Sequence, residues 1–168
     1  ILIWKAYKMT KKSKDIFFPF EKPPDFGEVK LIKEDIFWAR MPLPMMLNHV
    51  NVYILNSSEG LTIIDTGINT KECLSAWKRI IKNNFSNKKI LQVFITHHHP
   101  DHIGLAGWFS THFNAKIFSS RTSWFMARML CLDFQKVPDS NVIKFWQEGG
   151  MNKDLLEKKT KEKPFNFS

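Results

Sequence analysis

A chain of 168 residues has the size of one domain, which usually runs about 100 to 200 residues, and this excludes two complete ones. With 43% hydrophobic and 14% aromatic residues and only 7 Gly and 8 Pro, it is able to bury a core, which excludes disordered, collagen-like and low-complexity chains. The net charge of +9 is concentrated in a basic arm, Lys5, Lys8, Lys11, Lys12 and Lys14, but no Arg-rich stripe interleaved with aromatics follows, so the arm reads as a solubilising surface and no nucleic-acid partner is expected.

Near the start, Met9-Thr10-Lys11-Lys12 resembles an ordinary bacterial start, so residues 1–8 are expected to be upstream sequence read in frame. N-terminal mass spectrometry of the native protein tests this. Ile1 to Tyr7, broken by Lys5, is too short for the apolar region of a signal peptide, and no run approaches the roughly 18 to 20 apolar residues of a membrane span. No membrane partner is expected. Cys73 and Cys131 form no CxxC pair and fall in predicted helices, so both are expected to be buried thiols in a reducing, cytoplasmic compartment.

Pro19, Pro23 and Pro24 rule out a helix before Gly27, because proline removes a donor and restricts the residue before it. Three stretches follow from this: a basic, Pro-containing extension over 1–26, a folded part over 27–150 and a charged tail over 151–168. Glu28 to Lys33 and Asp35 to Met41 read as strands, the second closed by Pro42 and Pro44. In His49 to Asn56, Val50, Val52 and Ile54 alternate with Asn51, Tyr53 and Leu55; Ser57-Ser58-Glu59-Gly60 is a hairpin turn, and Leu61 to Asp65 the returning strand.

The period then changes. Asn69 or Thr70 caps a predicted helix in which Leu74, Trp77, Ile80, Ile81 and Phe85 recur every three or four residues. Ile90 to Thr96 reads as a buried strand, Ile103 to Phe113 as a helix stopped by Asn114, Lys116 to Ser119 as a brief strand, and Arg121 to Leu132 and Asn141 to Glu148 as helices. Trp77 and the Trp124-Phe125 pair are expected in the core, and Lys158 to Lys163 in a solvated tail. Strands first and then helices alternating with single strands make the fold class α/β.

Chemistry concentrates in Thr96-His97-His98-His99-Pro100-Asp101-His102-Ile103-Gly104, placed where a buried strand runs out, the usual position for a site in α/β folds. In an extended segment His97 and His99 share a side and converge on one metal ion while His98 points away; Asp101 and His102, beyond the turn at Pro100, face a second. Zinc takes neutral imidazole and carboxylate at about 2.0 to 2.2 Å, and two ions about 3.5 to 4 Å apart share a bridging hydroxide, with the pKa of bound water lowered to about 7. Asp101 both ligates and orients that water, which makes it the candidate catalytic residue. In a chain with 6 His, such spacing arises by chance on the order of a few times in ten thousand. His49 and His112 are read as a structural and a surface histidine.

Thr96-His97-x-His99-x-Asp101-His102-x-Gly104 resembles the metal-binding motif of the metallo-β-lactamase fold superfamily. Ile63-Ile64-Asp65-Thr66-Gly67 is similar to its strand-ending Asp-Thr-Gly, whose Asp orients the metal site from behind. Met41 to Pro44, Asn48 to Tyr53 and Gly104 to Trp108 resemble a group of general bacterial hydrolases in that superfamily, and the resemblance runs from about Gly27 to Gly150.

The resemblance implies an αββα sandwich and a dinuclear zinc hydrolase acting on an ester, thioester, lactone or amide of a small molecule. His97, His99, Asp101 and His102 are the ligands it implies, with Asp65 behind them. It also implies later ligands, a His, a bridging Asp and a final His, whereas the only histidine after His102 is His112. The chain therefore reads as the front half of the domain, with weak or substoichiometric metal binding, little hydrolysis, and an exposed apolar face that favours homo-oligomers. An Fe²⁺ dioxygenase of the same fold and a noncatalytic metal-binding protein are the alternatives, since two His and a carboxylate also suit iron.

Overall fold

A computed structural model describes residues 19–164; Met9 and the basic arm lie outside the described residues. Six strands, β1 (Lys30–Lys33), β2 (Ile36–Pro42), β3 (His49–Asn56), β4 (Leu61–Ile64), β5 (Ile90–Ile95) and β6 (Lys116–Ser119), form one sheet in chain order. Pairing is antiparallel from β1 to β4 and parallel from β4 to β6. Connection length explains the change, because tight turns join antiparallel neighbours and parallel strands need a longer crossover. The β3–β4 turn is closed by Ser57, whose N–H donates to Gly60 O at 2.9 Å and whose Oγ accepts from Gly60 N–H at 3.2 Å.

The first crossover is α1 (Lys71–Asn84), capped by Thr70, whose side chain accepts from Cys73 N–H. It buries Cys73, Ala76, Trp77 and Ile80, at the helical spacing seen in the sequence. The second comprises a short turn of helix, α2 (Pro100–Ile103), and α3 (Ala106–Phe113), which ends at Asn114 in the left-handed conformation. Residues from α1 and α3 join Ala39, Met41, Val52, Ile54, Ile63, Val93 and Ile95 in one core, where Trp77 and Phe109 meet edge to face at 5.0 Å.

Of the two sheets in the expected sandwich, the described residues form one, with α1 and α3 on one face. On the other, Trp38, Tyr53, Ile64, Phe94 and Phe118 are paired in register across five strands, and Tyr53, Phe94 and Phe118 are 37%, 41% and 41% exposed. Phe94 and Phe118 stack at 4.9 Å.

Several expectations need correction. The helix read over Ile103 to Phe113 is broken, because Leu105 N–H donates to Thr66 Oγ1 at 3.1 Å instead of continuing the α2 ladder. Trp124 and Phe125, expected in the core, are 53% and 57% exposed on α4 (Arg121–Leu132), which buries only Ser123 and Ala127. Cys131 on the same helix is exposed, while Cys73 is buried as expected. The stretch read as a charged, solvated tail keeps Lys158, Lys161 and Lys163 exposed and adds a helix, α6 (Lys153–Lys161), because Asn152 Oδ1 caps it through the N–H groups of Asp154 and Leu155. It packs against α5 (Ser140–Glu148), and neither buries a residue fully. Among the described residues no helix is long and apolar enough to cross a membrane.

Candidate metal centre

β4 and β5 run parallel side by side, so their carboxyl ends deliver two loops to one place. The first is Asp65-Thr66-Gly67. Asp65 N–H donates to Phe94 O of the neighbouring strand at 2.9 Å, and Asp65 then takes up a left-handed backbone, φ 59°. Asn and Asp tolerate this conformation better than other side chains, and it needs support from its surroundings. Gly67 is also left-handed, φ 84°, and a Cβ there would run into Cys73 Sγ and lie 2.9 Å from Met41 Cβ. Only glycine fits.

Thr66, fully buried, ties the two loops together. Its N–H and Oγ1–H both donate to His102 O, each at 2.8 Å, and its carbonyl accepts from the Trp77 indole N–H at 2.6 Å. Gly104 completes the close approach, since a Cβ there would lie 2.6 Å from Asn69 N and 2.9 Å from Gly67 O.

The second loop carries the histidines. Its backbone bends from Thr96 to His98 instead of remaining extended, yet His97 and His99 still meet, with His97 Nε2 3.0 Å from His99 Nδ1. Beyond Pro100, His102 Nε2 lies 3.6 Å from Asp101 Oδ2. The His97 and His102 rings are 3.9 Å apart between centroids, whereas His98 stands 6.4 Å from His97, so the two pairs adjoin.

Two donors on one tetrahedral zinc at about 2.0 to 2.2 Å are separated by roughly 3.3 to 3.6 Å. The observed separations of 3.0 and 3.6 Å lie close to this range, and imidazole with carboxylate is the donor chemistry zinc takes. The residues fit a metal as two half-sets. Among the described residues no three His, Cys, Asp or Glu side chains are grouped to hold one ion.

Behind the pairs sits Asp65, 4% exposed. Its Oδ1 accepts from Thr96 N–H at 2.8 Å, and its Oδ2 accepts from Thr96 Oγ1–H at 2.7 Å and from His102 Nδ1 at 2.8 Å. Burial works against the charged carboxylate, but the bonds from His102 and Thr96 prevail and hold Asp65 below the usual aspartate range. For His102 burial opposes the imidazolium, while the bond to Asp65 and the charges of Asp65 and Asp101 outweigh it and raise the pKa. His97 moves the other way, lowered by burial and then by its neighbours His102 and His99. The cluster thus sets a His97 that resists protonation beside a carboxylate-backed His102.

His49, at the start of β3, contacts Asn48 Oδ1 through Nδ1 at 2.7 Å, and burial followed by Arg40 lowers its pKa. His112 stacks on Trp108 at 5.5 Å. Two clefts of about 250 and 460 Å³ lie along α5 and α6 and share no residue with the histidine loop. Sequence reasoning assigned no role to Thr66, Thr96 or Trp77 in this site. The signal available was position: each threonine stands directly beside a titratable residue where a strand ends.

A family model described as the metallo-beta-lactamase superfamily matches residues 46–163. The chain is 34% identical over 104 residues to the probable metallo-hydrolase YqjP of Bacillus subtilis, an alignment covering 61% of this chain and 32% of that protein. It therefore spans about a third of the length of this curated relative. Among solved structures, it resembles a beta-lactamase domain protein from Burkholderia ambifaria, with TM-score 0.68, 22% identity, 88% of this chain and 44% of that one covered. It also resembles the metallo-beta-lactamase family protein TTHA1429 from Thermus thermophilus, with TM-score 0.59, 21% identity and 81% and 46% covered.

Proposed function

This chain belongs to the metallo-beta-lactamase superfamily, and we propose from that premise that it is the front part of a zinc-dependent hydrolase whose two ions lie at the His97–His99 and Asp101–His102 pairs. The observation that carries this reading is the pairing of four donor atoms on one loop at ligand-like separations, with buried Asp65 behind them. A divalent ion supplies a Lewis acid for a carbonyl oxygen and makes water a nucleophile near neutral pH.

The chain's own residues prepare that chemistry. His97 Nε2 and His99 Nδ1 face each other at 3.0 Å, and Asp65 holds the His102 ring through Nδ1, leaving Nε2 toward Asp101. The Asp101 side chain is 23% exposed, so it can accept a hydrogen bond from water and orient it. The substrates in keeping with this are small molecules with an ester, thioester, lactone or amide bond, and a reducing, cytoplasmic setting suits the buried Cys73 thiol.

Two donors for each ion hold metal less firmly than three, and the complete set is expected to need ligands beyond these four residues. This chain alone is expected to bind less than two zinc ions firmly and to hydrolyse thioesters and lactones slowly. Metal analysis after loading with zinc or iron, together with a thioester and lactone panel, tests the reading. Weak zinc binding that disappears in a His97→Ala/His99→Ala variant supports it. Retention of iron in preference to zinc, or no metal bound at all, would overturn it.

A further inference from the structure

Thr96 touches three groups at once. Its Oγ1 lies 2.7 Å from Asp65 Oδ2 and 3.0 Å from His97 Nδ1, and its N–H donates to Asp65 Oδ1 at 2.8 Å. An ionised carboxylate accepts hydrogen bonds and cannot donate them, so the Thr96 hydroxyl proton points at Asp65. The hydroxyl oxygen then has only lone pairs to offer His97, and His97 Nδ1 must carry the ring proton. The same reasoning applies directly to His102, whose Nδ1 faces Asp65 Oδ2 at 2.8 Å and is therefore the protonated nitrogen.

We infer that Thr96 is a positioning residue that relays Asp65 to His97, so that a single buried carboxylate sets the tautomer of one histidine in each pair and leaves both Nε2 atoms bare. Those are the atoms turned to the partner donors, His97 Nε2 toward His99 Nδ1 and His102 Nε2 toward Asp101 Oδ2. A neutral imidazole in water favours the opposite tautomer, with the proton on Nε2, which would block both donors. Direct bonding suffices for His102, which lies against Asp65; His97 is out of its reach and depends on the threonine hydroxyl. The inference deepens the metal-centre reading and rests on it for its purpose, although the proton placement is measurable without metal.

Thr96→Val removes the hydroxyl while keeping the side-chain shape and the backbone N–H bond to Asp65, and Thr96→Ser restores the hydroxyl. Ring ¹⁵N shifts of the metal-free chain, followed upward in pH until His97 and His102 are both neutral, report the tautomers. His97 is expected as Nδ1–H in the wild type and Thr96→Ser and as mainly Nε2–H in Thr96→Val, with His102 unchanged throughout. Zinc affinity by calorimetry is expected to fall about 10-fold in Thr96→Val and to recover in Thr96→Ser, the scale of losses when a partner of a ligating histidine is removed. An Nδ1–H tautomer of His97 that persists in Thr96→Val overturns the inference, whether or not zinc binds. A wild-type chain with the expected tautomers but no zinc affinity overturns the metal-centre reading and leaves the relay standing.

Discussion

Two rows of side chains cross the same sheet one residue apart and meet opposite fates. Phe37, Ile54, Ile63 and Val93 lie in register under α1 and α3, whereas Trp38, Tyr53, Ile64, Phe94 and Phe118 stand in register on the open face. Both rows are apolar or aromatic, so composition does not separate them. Topology does. The strand order advances steadily from β4 to β5 to β6, and two crossovers of the same hand on such a path lie on the same side of the sheet. Alternation in a strand thus shows that it has two faces, and the connections decide which one is covered.

Trp77 is fully buried under the covered row, against Phe109 and bonded to Thr66 O. Trp77→Ala is expected to cost about 3 to 5 kcal/mol in urea unfolding, a large share of a domain's stability. A loss below about 1 kcal/mol would mean that the helices add little to that face. Gly67→Ala comes next, because it places a Cβ at φ 84° against Cys73 and Met41; a loss of about 2 to 3 kcal/mol is expected, with the same assay as the check.

Cys73 extends the test to pH. Burial pushes its thiol up to about 12 from an ordinary value of 9.0. A group with a raised folded-state pKa contributes stability fully below its unfolded pKa and loses it as pH rises from about 9 to about 12. At pH 10 the expected loss is about 1.4 kcal/mol, and it should vanish from the pH slope of Cys73→Ala. An identical slope in the variant would contradict burial of this thiol. The smallest effect is expected on the open row, where Phe94→Ser with Phe118→Ser should cost no more than about 1 kcal/mol in all and should lower any self-association seen by light scattering. A loss as large as that of Trp77→Ala would show that the face is covered in solution.

Much of this architecture is legible in the sequence where a local signal and a tertiary contact agree. Val50, Val52 and Ile54 alternate in the chain and are buried in the structure, and the spacing from Leu74 to Phe85 becomes the inward side of α1, capped by Thr70, one of the two residues read as its cap. Disagreement appears where a contact overrides the pattern. Ile103 to Phe113 is periodic enough for one helix, but Thr66 Oγ1 takes the Leu105 N–H from the other loop. Trp124 and Phe125 have core chemistry but stay about half exposed on α4, and Asn152, which caps α6, is obscured by the lysines that follow. In the site, the histidine spacing is local and visible. The roles of Thr66 and Thr96 depend on β4 and β5 lying parallel, which brings Asp65 to Thr96 and Thr66 to His102 across more than thirty positions of chain.

A divalent metal is proposed on the loop from His97 to His102, backed by Asp65. Titration of the metal-free chain with cobalt(II), followed by its visible absorption, tests this most directly. Binding is expected in the wild type and in His112→Ala, with affinity about 10- to 100-fold weaker in Asp65→Asn and loss of the signal in His97→Ala/His99→Ala. A His97→Ala/His99→Ala variant that binds cobalt as tightly as the wild type would contradict the proposal.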